Sequence, residues 1–197
     1  MATSTTTSNN NDIAQKVDEV TTQFYTDNKK NTFFKKQQKI DCATAVVNQI
    51  GLEDLIDRTV FIFPNTNKVF LNYPLFKTFA TPDNYEYVVQ YILTCFQYCI
   101  TNYGSYSTHV NLDTFTISAA ERYKHVVEMF LNKCMSSSNE YDFSSQLTHM
   151  YIYYTPNTFQ NISKLLSAFI HPTVKEKIVL YDKKESGPLM DALKMGY

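Results

Sequence analysis

The sequence predicts an α/β domain with a mostly parallel central sheet flanked by helices, preceded by a short N-terminal helical segment. Three observations carry this expectation. Apolar spacing switches from helical to strand-like at Thr59, strand and helix patterns alternate from there on, and 197 residues suffice for one substantial core. A chain of this size buries about 70% of its unfolded surface.

Residues 1–11 are rich in Thr, Ser and Asn, with too little apolar surface to offset the entropy of ordering, so they are expected to be a disordered tail. Ile13, Val17, Val20 and Phe24 recur at helical spacing, and Ile40, Ala43, Val46, Val47 and Ile50 do so again before Gly51 closes the pattern. Residues 12–51 are thus expected to hold two helices and a basic linker, and residues 52–197 the main domain. Thr59–Phe63 and Lys68–Tyr73 read as strands around a Pro64–Asn67 turn. A helix follows, with Thr81 as its expected N-cap, Pro82 at its first position and Gly104 past its end. Its stripe is Val88, Tyr91, Ile92, Cys95, Phe96, Cys99 and Tyr103. Ser107–Leu112 reads as a strand, Ser118–Glu121 as a capping box opening a helix, and Ser136–Ser145 as a polar loop. The strand His149–Tyr154, the helix Asn157–Ile170, a turn over Thr173–Glu176, the strand Lys177–Tyr181 and a short helix Leu189–Met195 complete the order.

Composition excludes several function classes. The four glycines, Gly51, Gly104, Gly187 and Gly196, are too scattered for a dinucleotide fingerprint, a P-loop or a GxSxG elbow. A net charge of −1 provides no general footprint for nucleic acid, so none is expected as a partner. The four cysteines, Cys42, Cys95, Cys99 and Cys134, lack a short-spaced framework, which suits a reducing compartment. With no signal-peptide pattern and no apolar run of spanning length, a cytoplasmic protein is expected. Cys95 and Cys99 share a helix face but lie in the apolar stripe, where structural burial is the simpler account than metal ligation. His109, His125, His149 and His171 are scattered, and no local signature marks a nucleophile, so no enzyme activity, catalytic residue, metal or cofactor is expected.

Two stretches bear on binding. Asn28–Lys39 places five lysines around Phe33 and Phe34. Lys29, Lys30, Phe33, Phe34, Lys35 and Lys36 could meet an anionic membrane, each lysine contributing about 1 kcal/mol near its surface. The competing account is an exposed linker whose phenylalanines pack back on the domain, and the poor helical pattern favours it. The second stretch, Asn157–Ile170, aligns Phe159, Ile162, Leu165, Leu166 and Phe169 on one apolar face. That face is about 20 Å long at 1.5 Å per residue.

The setting of this second stretch resembles the CRAL-TRIO lipid-binding family, which includes retinaldehyde-, tocopherol- and phosphatidylinositol-transfer proteins. Thr155-Pro156, Phe159, Ala168-Phe169-Ile170 and Lys177-Ile178 occupy the places of the family's Asn/His-x-Pro strand end, aromatic-containing helix, Pro-Phe-Leu/Ile and Lys-Ile. Residues His109–Ser118 and Tyr87–Tyr103 look like the preceding strand and helix, so the likeness spans Thr59–Leu193 and is specific over Tyr151–Leu180. Phe143-Ser144-Ser145-Gln146 stands where the family has Tyr-Pro-Glu, and the N-terminal bundle is short, as in a divergent branch whose members also act as scaffolds.

The resemblance implies that Asn157–Ile170 is a mobile gate over a hydrophobic cavity. Fully exposing its five large side chains would cost about 10 kcal/mol at roughly 2 each, so an open gate needs lipid or bilayer as partner. Tyr91, Phe96, Tyr151 and Tyr153 are the candidate pocket wall. The expected function is non-enzymatic binding, with transfer between membranes as an extension, of one lipid or other hydrophobic ligand by a peripheral membrane protein. The alternative is an interaction scaffold that engages a small GTPase or a membrane surface.

Overall fold

The computed structural model describes residues 6–28, 33–135, 141–157, 159 and 170–195. The chain forms two compact units, Met1–Thr59 with Leu75–Asn84 and Val60–Pro74 with Tyr85–Tyr197.

In the first unit, α1 (Thr6–Asp27) packs on α2 (Lys35–Ile50), and α2 on α3 (Leu52–Thr59). Val17, Val20, Cys42, Ala43 and Val46 are buried, as the helical spacing of the sequence requires. Helix α1 begins at Thr6, inside the stretch whose composition suggests a tail. Once a helix is nucleated, each added residue gains a backbone hydrogen bond at little further entropic cost. At Gly51 the chain takes φ +100, and its N–H donates to Val47 O at 2.9 Å, ending α2. The sequence reading passes over α3. Its buried Leu55, Ile56 and Thr59 sit at helical spacing, and Glu53, Asp54 and Arg58 complement the helix dipole. The helix expected from Thr81 starts four residues later, because Asn84 bonds Thr81 N and Phe79 O through its side chain and holds 81–84 as a turn.

The second unit is α/β. Its five-stranded mixed sheet has the order β1 (Val60–Ile62), β2 (Lys68–Asn72), β3 (Tyr106–Asn111), β4 (Leu147–Tyr153), β5 (Ile178–Leu180). Strands β1 and β2 form an antiparallel hairpin, with Asn65 at φ 58 in its turn; every other pairing is parallel. Helix α4 (Tyr73–Phe79) follows β2. Helix α5 (Tyr85–Tyr103) precedes β3 and packs against β1, β2 and β3, and α6 (Ile117–Cys134) packs on α5. Thr116 caps α6 by accepting from Ala119 N at 3.2 Å, so the helix opens before the Ser118–Glu121 box. Short turns α7 (Phe143–Gln146) and α8 (Pro172–Lys175) follow, and α9 (Lys183–Met195) ends the fold. Among the described residues no helix is long and apolar enough to cross a membrane.

Register assigns every strand residue to a face. Ile62, Val69, Thr108, Met150 and Ile178 form one row, with Val60, Leu71, Val110, Ile152 and Leu180 beside it. This is the aliphatic face. On the other, Phe61, Phe70, His109, Tyr151 and Val179 align across all five strands, forming an aromatic face. Met190 and Leu193 of α9 pack on the aromatic side together with Phe63, Phe70 and Tyr153.

Candidate functional site

Helix α5 meets the sheet on its aliphatic face, and α6 packs on α5. Phe96 of α5 stacks on Tyr106 at 4.2 Å between ring centroids, and the Tyr106 hydroxyl donates to Phe143 O at 2.9 Å. Burial pushes the Tyr106 phenol far above its ordinary range, so it stays protonated as that donor. Beside this stack lies a small recess, open to solvent, with a cavity volume of about 30 Å³, room for about one water molecule. Phe96, Phe130, Phe143, Leu147, Met150 and Val174 contribute to its wall. Its lining is apolar apart from Tyr106, Thr108, Ser144, His171 and the sulfur groups, and it contains no lysine, arginine or carboxylate among the described residues.

Thr108 is the exception that matters. It is 1% exposed, and its hydroxyl has no hydrogen-bond partner among the described residues. An unsatisfied buried hydroxyl costs about 1 to 3 kcal/mol, so a water or a ligand atom at this point would be stabilised. Cys134 also lines the recess, and desolvation pushes its thiol up to about 12, so it is a small apolar group and not a thiolate.

The aromatic face carries a separate polar line. Ser107 Oγ lies 3.3 Å from His109 Nε2, and His109 Nδ1 lies 2.9 Å from the Tyr153 hydroxyl. His109 also stacks on Tyr151 and Tyr153, which stack in turn on Tyr181. Burial, helped by the charge of Lys68, lowers the His109 pKa to about 4, and burial raises that of Tyr153 to about 12. Both groups are therefore neutral near pH 7. Ser107 is 7% exposed, so the row resembles a nucleophile and base only in its spacing: the serine is closed off and the imidazole is a weak base.

The residues expected to form a site separate in the structure. Phe96 lines the recess, Tyr91 is half-buried on α5, and Tyr151 and Tyr153 lie on the opposite face of the sheet from Phe96. Strand alternation explains the division: Met150 lines the recess and Ile152 shares its face of the sheet, so their odd-numbered neighbours point away. Of the gate residues, Phe159 is half-buried, and its N–H donates to Pro156 O at 2.8 Å. Ile162, Leu165, Leu166 and Phe169 lie outside the described residues, as do Lys29 and Lys30. Phe33, Phe34, Lys35 and Lys36 are exposed where α2 begins.

Thr108 and Phe143 escape the sequence reading. A signal for Thr108 exists, since it shares strand parity with Val110 and so stands at an inward position. Phe143, 1% exposed, hides inside what reads as a polar loop.

Cys95 and Cys99 are both buried thiols outside any disulfide, and desolvation raises Cys99 to about 11. No group of three His, Cys, Asp or Glu able to hold a metal occurs among the described residues. Comparison with protein-family models and with curated proteins finds no match.

Proposed function

We propose that the protein binds one lipid or other hydrophobic molecule, without chemistry, in the recess on the aliphatic face, in the manner of the CRAL-TRIO fold. One observation carries this reading. Met150 of β4 and His171 and Val174 at α8 all line the recess, so both chain ends flanking the apolar stripe Phe159, Ile162, Leu165, Leu166 and Phe169 are tied to it. The sequential order β2-β3-β4-β5, all parallel, agrees with the reading, because right-handed crossovers stepping in one direction put α5 and α6 on one face. An apolar wall with one unpartnered hydroxyl suits a ligand held by exclusion of water, oriented by a single polar contact.

The test is uptake of a fluorescent acyl probe by the purified chain and by Leu131→Glu. Leu131 lines the recess and is only half-buried, so the variant keeps its fold while placing a charge against the ligand. Saturable uptake weakened at least about tenfold in the variant supports the reading. Equal uptake by both proteins, or none, contradicts it and turns attention to the scaffold alternative.

A further inference from the structure

Among the described residues, Thr108 Oγ1 is the buried side-chain polar atom left without a hydrogen-bond partner. Thr59, buried to a similar degree, donates instead to Leu55 O at 2.7 Å. Two other polar groups in the lining of the recess are engaged: the Tyr106 hydroxyl donates to Phe143 O, and His171 Nδ1 lies 2.7 Å from Thr173 Oγ1. Lys177 Nζ, which reaches the wall at Ser144, donates to the Ser144 and Ser145 carbonyls at 2.8 and 3.1 Å. The Asp142 carboxylate is close enough to disfavour negative charge on Tyr106. These surroundings are set against an anion and offer one hydroxyl to a neutral group.

We propose that the ligand of this recess is an uncharged amphiphile, an alcohol or ester in place of a fatty acid or phospholipid, with its oxygen against Thr108. The inference rests on the lipid-binding reading and adds the head group to it. A threonine hydroxyl both donates and accepts, so it pairs with an alcohol in either sense and donates to a carbonyl. Size points the same way: a recess of about 30 Å³, room for about one water molecule, admits one hydroxyl or carbonyl oxygen but not a phosphate with its several oxygens. An ionised head group here would lose its hydration with no lysine or arginine among the described lining residues to replace it. The alkyl chain leaves through the open mouth, where the half-buried Phe130 and Leu131 offer it apolar surface.

The experiment varies the head group on one chain. An uncharged fluorescent acyl ester is bound to the full-length protein and displaced by hexadecane, hexadecanol, methyl hexadecanoate, hexadecanoate or hexadecyl phosphate, with wild type, Thr108→Val and Thr108→Ser compared. In wild type, hexadecanol and the methyl ester are expected to displace the probe at concentrations at least about tenfold below those the two anions need. Thr108→Val is expected to weaken hexadecanol by about two- to tenfold and leave hexadecane unchanged, and Thr108→Ser, which keeps the hydroxyl, to restore the preference. Displacement by hexadecanoate or hexadecyl phosphate as readily as by hexadecanol would overturn the inference. So would hexadecanol binding that is the same in Thr108→Val as in wild type, which would leave the hydroxyl to water alone. Uptake of the ester without these preferences overturns the head-group assignment only, whereas no uptake by wild type contradicts the lipid-binding reading and this inference with it.

Discussion

His109 and Tyr153, on neighbouring strands of the aromatic face, are joined by a 2.9 Å hydrogen bond between Nδ1 and the phenolic oxygen, and both side chains are buried. The bond requires a neutral imidazole whenever Nδ1 is the acceptor, and burial keeps the ring neutral. Acid stability therefore depends on this pair. The histidine's pKa is about 4 in the fold, against 6.5 when unperturbed, so the unfolded chain takes up the proton first. The stabilisation is complete above about pH 6.5 and is lost as pH falls toward about 4, to an extent of roughly 2 to 3 kcal/mol. Urea midpoints measured across this window should fall steeply for wild type and less so for His109→Gln.

Tyr153→Phe removes only the hydroxyl. It leaves the ring stack with Tyr181 in place and strands His109 Nδ1, a buried polar atom. A loss of about 1 to 2 kcal/mol in chemical denaturation is expected, with little change in m-value.

Thr108→Val should act in the opposite direction. The substitution keeps the shape and removes a buried hydroxyl that has no partner among the described residues. A gain of about 1 kcal/mol in the ligand-free protein is the expected outcome by thermal or urea unfolding. Most core substitutions destabilise, so a gain here marks a group retained for something other than stability.

Ser186 ties α9 to the end of β4. It is fully buried; its Oγ accepts from Tyr154 N at 2.6 Å and donates to Asp182 O at 2.6 Å. Tyr154 itself holds φ 55, so this contact fixes a backbone turn that a non-glycine residue adopts at a cost. Ser186→Ala leaves the amide unpaired and should cost about 1 to 3 kcal/mol, accompanied by faster hydrogen exchange at Tyr154.

Much of the second unit was legible because its strands are short and bounded by turn residues. Alternation at Val69-Phe70-Leu71 and His149–Tyr153 announces strands, and Gly104 at φ 76 ends α5 where the pattern stops. Alternation reports that two faces exist, not which one meets the helices. For that reason Tyr151 and Tyr153 could be placed with Phe96 from sequence although the sheet separates them. The start of α9 was missed although a signal stood in the chain. Asp182 Oδ1 accepts from Glu185 N at 2.9 Å and Glu185 Oε2 from Asp182 N at 3.0 Å, a reciprocal cap that outweighs Gly187 and Pro188 just downstream. The exposure of Phe33 and Phe34 was beyond sequence, because local pattern does not say whether a ring finds a surface to cover it.

The most direct test of ligand binding is native mass spectrometry of the intact protein purified without detergent, before and after organic extraction. A single additional mass of lipid size at one-to-one stoichiometry, lost on extraction and restored by adding the extract back, is the predicted result. Only the bare chain mass, in repeated preparations and after incubation with lipid extract, would contradict a lipid-binding recess.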